Sequence, residues 1–284
     1  SQAMHLHRVS NTRGVCNVPK ADIKVLLGSE MRDLFYVDKG NYYVGTDAGS
    51  LENVALASYT YKYDDGEFAR MQTMGDGHSF NTFAFFPHLH KEFDITDPEL
   101  KEDKSFKPWR NKGKTGAYLL AFGGGAPKLA SSLGLSPAEG KRAYDSYWEK
   151  NKGLGLLKKA VEGYFDTTGK KKYIPAIDGR LVSVRGKNVL LSCVGQGTGA
   201  ITMSYAACLM DTWLGDMHLD DNGRPYYLYN GKVVKRTSMV HDEYSWEVEE
   251  GVHEEIRAMS VKAIVRAAEL LKYSLPLGDR KSVV

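Results

Sequence analysis

The chain has 284 residues, 42% hydrophobic and 26% charged, which is the composition of an ordinary soluble globular protein long enough for one large domain or two modest ones. No apolar run is long enough to span a bilayer and no basic-then-apolar opening marks a secretory signal, so a membrane partner is not expected. Three cysteines (Cys16, Cys193 and Cys208) exclude a disulfide framework and a tetrathiolate zinc site and fit a reducing cytosol, while a net charge of +3 neither requires nor forbids nucleic acid.

Ser1, Gln2 and Ala3, ahead of Met4, read as a cloning remnant. Residues 41–46 (NYYVGT) are aromatic and β-branched and predict a strand. Asp47-Ala48-Gly49-Ser50 ends it and residues 51–57 open a helix. Asp47 thus stands at a strand exit, where a lone carboxylate usually serves a turn or cap. Residues 66–103 are aromatic, polar and irregular, and His78, His88 and His90 there lack metal-ligand spacing and read as loop residues. Pro108 opens a helix over 109–122, stopped by three glycines. Ser136 and Glu139 form a capping box for the next helix, whose Tyr144, Tyr147 and Trp148 read as core. Residues 152–172 give a lysine-rich amphipathic stretch, and 173–176 with 180–184 a hairpin around Asp178-Gly179. A buried helix over 189–214 follows, then two hairpins: 226–229 with 233–234, and 237–240 with 244–248 across His241-Asp242-Glu243. An amphipathic helix over 252–272 comes last.

Two features carry chemistry. His241-Asp242-Glu243 sits at a hairpin tip. Solvated acidic turns are the commoner case, but the flanking strands look apolar and buried, and two carboxylates leaving a buried hairpin need a counter-charge. A divalent metal shared with Asp47 supplies one, because magnesium takes one or two carboxylates alongside phosphates and water. The second feature is Arg110, Lys114, Tyr118 and Phe122, spaced i, i+4 on one helix face. Such a face is either exposed with snorkelling cations or a working surface that meets phosphates and stacks on a base.

In order along the chain these segments resemble the polymerase portion of family A DNA polymerases, nearest the phage replicative type. Asp47-Ala48-Gly49-Ser50-Leu51-Glu52 is similar to the family's D-x-S-x-x-E, with Gly-Ser in place of Ser-Gly. Arg110-x-x-x-Lys114-Thr115-x-x-Tyr118, followed by Phe122-Gly123, resembles the finger helix, and His241-Asp242-Glu243 the third motif. Asp178-Gly179-Arg180, Gln196-Gly197-Thr198-Gly199-Ala200 and Gly75-Asp76-Gly77-His78 resemble the DGR hairpin, the QGT-A-A helix and G-D-x-H. Thr12-Arg13, Asn17, Pro19 and Leu27-Gly28-x-Glu30-Met31-Arg32 resemble the segment entering the palm. The likeness spans nearly the whole chain.

The resemblance implies an α+β fold: an antiparallel palm sheet flanked by helices, with a mostly helical fingers subdomain inserted. Residues 1–66 and 188–284 would form the palm and 67–187 the fingers. It implies a template-directed DNA polymerase working by two-metal-ion catalysis on primer-template DNA and dNTPs. Asp47, Asp242 and the Ala48 carbonyl would hold two Mg2+ ions, for which Mn2+ can substitute. Glu243 would be an auxiliary catalytic acid and Lys114 the proton donor to pyrophosphate. Arg110, Lys114 and His78 would grip the triphosphate and Tyr118 would stack by sugar and base. A tyrosine there implies tolerance of nucleotides lacking a 3′-hydroxyl. Glu52 would exclude a 2′-hydroxyl, with Phe122 where many relatives carry a tyrosine that meets this glutamate, so that sugar selection is looser. His241, Gln196, Arg180 and Arg13 would contact DNA, positioning rather than reading it.

Leu119 and Ser192 also depart from residues common in the family. The sequence starts where the palm starts and stops short of the family's usual end. That implies one part of a split or truncated polymerase, with a second polypeptide supplying thumb and exonuclease, in the bacterial cytoplasm, that of the host if the chain is phage-encoded. The alternatives are a non-catalytic DNA-binding or assembly subunit, a single-subunit RNA polymerase relative and a magnesium-dependent nuclease. Intact Asp47, Asp242, Arg110 and Lys114 argue against the first, Glu52 against the second and the Arg-Lys-Tyr helix against the third.

Overall fold

Strand β1 (Asn41–Ala48) fully buries Val44, Thr46 and Ala48 and turns Tyr43, Gly45 and Asp47 to the opposite side, the two-residue alternation of a sheet with one face on a core. The computed structural model describes residues 36–73, 76–169, 172–275 and 279–283. Its main sheet has six antiparallel strands in the order β4-β5-β6-β7-β1-β8. The others are β4 (Met217–Leu219), β5 (Pro225–Tyr229), β6 (Lys232–Val240), β7 (Glu243–Glu249) and β8 (Asp279–Val283). Tyr244, Trp246 and Val248 of β7 lie on the buried face with Val234 of β6, and the ladder pairs Val44 with Trp246 and Asp47 with Glu243. This unit runs up to Ala48 and includes Cys208–Lys262 and the residues from Asp279 on.

The two hairpins expected beyond residue 224 share one strand. β6 runs unbroken through 232–240, with a register irregularity between Arg236 and Ser238. Arg236 stays on it because its guanidinium lies 5.8 Å from the Trp246 ring and pairs with Asp211 at 3.2 Å. β1 runs two residues further than its composition suggests, since Ala48 N–H donates to the Asp242 carbonyl at 2.8 Å and extends the ladder past Asp47. Strands β4 and β8 had no signal: β4 has three residues, all exposed, and β8 is mostly polar in sequence.

The second unit, Gly49–Ala207 with Ala263–Gly278, is mostly helical. It holds α1 (Leu51–Asp64), α2 (Glu67–Thr73), α3 (Gly77–Phe85), α4 (Lys107–Ala121), α5 (Ala126–Leu133), α6 (Pro137–Lys150), α7 (Lys152–Thr167) and a small hairpin, β2 (Tyr173–Pro175) with β3 (Leu181–Ser183). Two long helices, α8 (Leu190–Leu214) and α9 (His253–Leu270), contribute residues to both units. Helices α2 and α3 correct the expectation of irregular chain between Gly66 and Asp103. Asp64 accepts from the Phe68 amide, and Asp76 caps α3 by accepting from the Ser79 amide, so each short helix is started by one aspartate.

Helix α4 lies against α3 through its glycines. A Cβ on Gly113 would stand 2.9 Å from the Thr82 Cα, and one on Gly116 2.7 Å from the Phe85 ring. The helix ends as a Schellman motif: Gly123 has φ of +83°, and Gly124 N–H reaches back to the Leu119 carbonyl at 2.8 Å. The capping box of α6 forms as expected, Ser136 accepting from the Glu139 amide while Glu139 accepts from the Ser136 amide. Phe83, Phe85, Phe106, Leu129, Tyr147, Leu154 and Leu190 centre the core of this unit.

Candidate functional site

Backbone pairing brings together the acids on the sheet. Asp47 faces Glu243 across the β1–β7 ladder, and the Ala48 amide donates to the Asp242 carbonyl, so Asp47 at the end of β1 and Asp242 in the turn before β7, 195 residues apart in sequence, are brought together. The turn between β6 and β7 is two residues long, with His241 left-handed at φ +55° and exposed. Asp47, Asp242 and Glu243 are half-buried, so this tip is wetter than its apolar flanks suggested. Glu243 Oε1 lies 3.4 Å from the Tyr43 hydroxyl and 3.3 Å from Ser245 Oγ, two oxygens that are 2.5 Å from each other. Gly45 leaves the room, since a Cβ there would stand 3.2 Å from Glu243 Oε1. No group of three or more His, Cys, Asp or Glu able to hold a metal ion occurs among the described residues. Two aspartates and a backbone carbonyl are nevertheless hard oxygen donors of the kind that magnesium takes with phosphate and water.

In the helical unit, side chains do the arranging. Arg110 grips Asp76 with two parallel bonds, Nε to Oδ2 at 2.5 Å and a terminal nitrogen to Oδ1 at 2.8 Å. Partial burial pushes the Asp76 carboxyl up, but hydrogen bonds from Arg110 and Ser79 and the charges of Arg110 and His78 outweigh it and bring it down to about 2. Donating to Asp76, against some desolvation, raises Arg110 above its ordinary value. His78, in the first turn of α3, has its ring 6.0 Å from that of Tyr118. Tyr118 stacks on Phe122 at 6.1 Å, and the Lys114 ammonium lies 5.9 Å from the Tyr118 ring. Glu52, His78, Asn81, Tyr118 and Tyr147 line one pocket whose free space, ≈ 20 Å³, takes about one water. Of the six residues expected at a nucleotide, Glu52, His78 and Tyr118 line this pocket, exposed Lys114 and Phe122 flank Tyr118 on α4, and Arg110 is held by Asp76.

Arg180, exposed, pairs with Asp178 at 2.6 Å. Burial raises the Tyr59 hydroxyl; its bond with Thr198 Oγ1 at 3.2 Å lowers it and the charge of Asp178 raises it further, which links the hairpin of Arg180 to the helix of exposed Gln196. Arg13, with Thr12, Asn17, Pro19, residues 27–32 and Gly75, lies outside the described residues. Sequence reasoning gave no role to Asp76, although an aspartate ahead of Ser79 and an aromatic run is itself a helix-start signal.

The fold is α+β and matches that of a polymerase palm-and-fingers domain. No protein-family model matches the sequence. It is 26% identical over 168 residues to the DNA-directed DNA polymerase of Escherichia phage T7, covering 55% of this chain and 21% of that protein. To DNA polymerase I of Mycobacterium leprae it is 27% identical over 264 residues, covering 89% and 26%. Its fold matches the POL domain of Pol1 from M. smegmatis, solved with DNA primer-template and dNTP, at TM-score 0.68 and 23% identity, over 95% of this chain and 43% of that one. The chain is a homologue of DNA polymerase I and T7 DNA polymerase, the family A enzymes that its motifs resemble. It spans between a fifth and about a quarter of the length of these curated relatives, 21% and 26%.

Proposed function

We propose that this chain is the palm-and-fingers part of a template-directed DNA polymerase, which transfers nucleotides from dNTPs to a primer 3′-hydroxyl. One observation carries the reading: Asp242, in the turn that opens β7, accepts from the Ala48 amide at 2.8 Å and so stands beside Asp47 at the end of the adjacent strand β1. In this reading residues 1–66 and 188–284 are palm and 67–187 fingers.

Asp47, Asp242 and the Ala48 carbonyl hold two divalent cations, magnesium or manganese, which when bound lower the pKa of the primer hydroxyl and offset the charge of the triphosphate. Glu243 is an auxiliary acid near the primer end; its engagement by Tyr43 and Ser245 supports that lesser part. His241, on the exposed turn, touches the primer backbone. Arg110, Lys114 and His78 bind the triphosphate, and Lys114 gives a proton to the departing pyrophosphate. Tyr118 stacks by the sugar and base. Glu52 fills the space a 2′-hydroxyl needs, held less firmly because Phe122 lacks a hydroxyl to meet it. Gln196, Arg180 and Arg13 bear on the sugar-phosphate surface and minor groove. Catalysis on this plan is positioning and charge neutralisation, with no covalent step on the protein.

In this reading a second polypeptide supplies thumb and exonuclease. Among the described residues no helix is long and apolar enough to cross a membrane, and the reading places the work in the bacterial cytoplasm. The test is extension of a primed template by the chain, alone and with candidate partner proteins. Asp242→Ala abolishes extension and keeps primer-template affinity; a variant that extends as fast as the parent refutes the assignment.

A further inference from the structure

Helix α8 meets Glu52 with bare backbone. Gly195 is buried, and a Cβ built on it would lie 2.8 Å from Glu52 Cγ, 3.3 Å from Glu52 Oε1 and 3.3 Å from Leu56 Cγ. Two residues along the same helix, a Cβ on Gly197 would meet nothing within 4 Å. Both glycines weaken a helix interior relative to alanine. Only at Gly195 does the missing Cβ make room for a neighbour, and that neighbour lines the pocket of His78, Asn81 and Tyr118.

We infer that Gly195 is the seat of Glu52, a positioning residue that sets how far the glutamate reaches into the pocket and so how much room is left for the sugar of a nucleotide. The inference rests on reading Glu52 as the sugar-facing residue. A contact of 2.8 Å to Cγ, the middle of the side chain, cannot be relieved by moving only the carboxylate. The whole side chain must swing. Helix α8 blocks one side, and the other is the pocket, whose free space takes about one water. Alanine at 195 therefore pushes Glu52 inward, and the pocket narrows for any nucleotide.

The test is a two-position cycle on the full chain, read by dATP and ATP titration with magnesium and, separately, by thermal unfolding. Gly195→Ala weakens dATP binding at least fivefold, while Gly197→Ala changes it less than twofold. In a Glu52→Ala background, adding Gly195→Ala changes dATP binding less than twofold, because the clashing Cγ is gone. The midpoints behave in parallel: Gly195→Ala raises Tm in the Glu52→Ala background and lowers it in the parent. Additive Tm shifts, or Gly195→Ala and Gly197→Ala that act alike, overturn the inference. If the cycle couples but Glu52→Ala leaves the dATP-to-ATP preference unchanged, the seat stands and the sugar-facing reading of Glu52 falls. A parent chain that binds neither nucleotide refutes the nucleotide pocket, and the Tm cycle still decides the seat.

Discussion

The two halves of the proposed machinery are held by different means. On the sheet, Asp47, Asp242 and Glu243 owe their placement to the β1–β7 ladder and a two-residue turn, that is, to main chain. On the helical unit, Arg110 is held by Asp76, Glu52 lies against Gly195, and Tyr118 is flanked by His78 and Phe122, all through side-chain contacts or their absence. Removing an acid from the sheet should delete a function and leave the scaffold intact. Changing a neighbour on the helices should displace a group that is itself unaltered.

The largest expected effect sharpens that contrast. Asp242→Ala should lower extension by more than about 100-fold, since even a partner behind a metal ligand commonly accounts for about 10–100-fold; circular dichroism and Tm should stay those of the parent. On the helical side Asp76→Asn removes one charge from the Arg110 pair. It should raise KM for dNTP about tenfold with a smaller change in kcat, because hydrogen bonds to charged groups contribute about 1.5–3 kcal/mol. A variant that loses kcat alone would break the comparison. Tyr118→Phe should increase discrimination against dideoxynucleotides about tenfold, the worth of one hydrogen bond, read as a ratio of kcat/KM values.

Acid titration tests the same pair without activity. The Asp76 carboxyl is depressed to about 2 in the fold. Its contribution to stability is therefore present above the ordinary carboxylate pKa near about 4 and fades as the pH falls through about 2. Urea melts should show the parent about 1–2 kcal/mol more stable than Asp76→Asn at pH 5 and the gap closing toward pH 2; a constant gap would mean that the pair is not holding Arg110. The smallest effect concerns Ser50, which ends the turn after Asp47 with φ of +53° and no side-chain cap on α1. Glycine takes a left-handed φ without the Cβ penalty, and Ser50→Gly should stabilise the chain by about 1 kcal/mol in the same melts.

Much of this architecture was legible. Strand β1, helix α4 with its glycine stop, the Ser136–Glu139 box and the hairpins all carry local signals that tertiary packing did not override. Helices α2 and α3 escaped because each starts on a single aspartate, without the reciprocal glutamate that makes a box visible. The acids were legible as residues, and their pairing followed from the need for a shared counter-charge and from the resemblance, while the strand register that brings it about was not. Asp47 sits 195 positions from Asp242, and only the register of two strands brings them together. Gly195 and Asp76 were harder still, since what each does lies in the side chain it faces, Glu52 in one case and Arg110 in the other.

Strand β1 leaves the ribosome some 200 residues before β7, as the Tyr43–Glu243 contact measures. The helical unit, nearly all of it between those two strands, can form while the chain is still emerging. A nascent chain stalled before β7 therefore has most of its helical unit and a strand β1 still without β7 and β8, the two neighbours it pairs with.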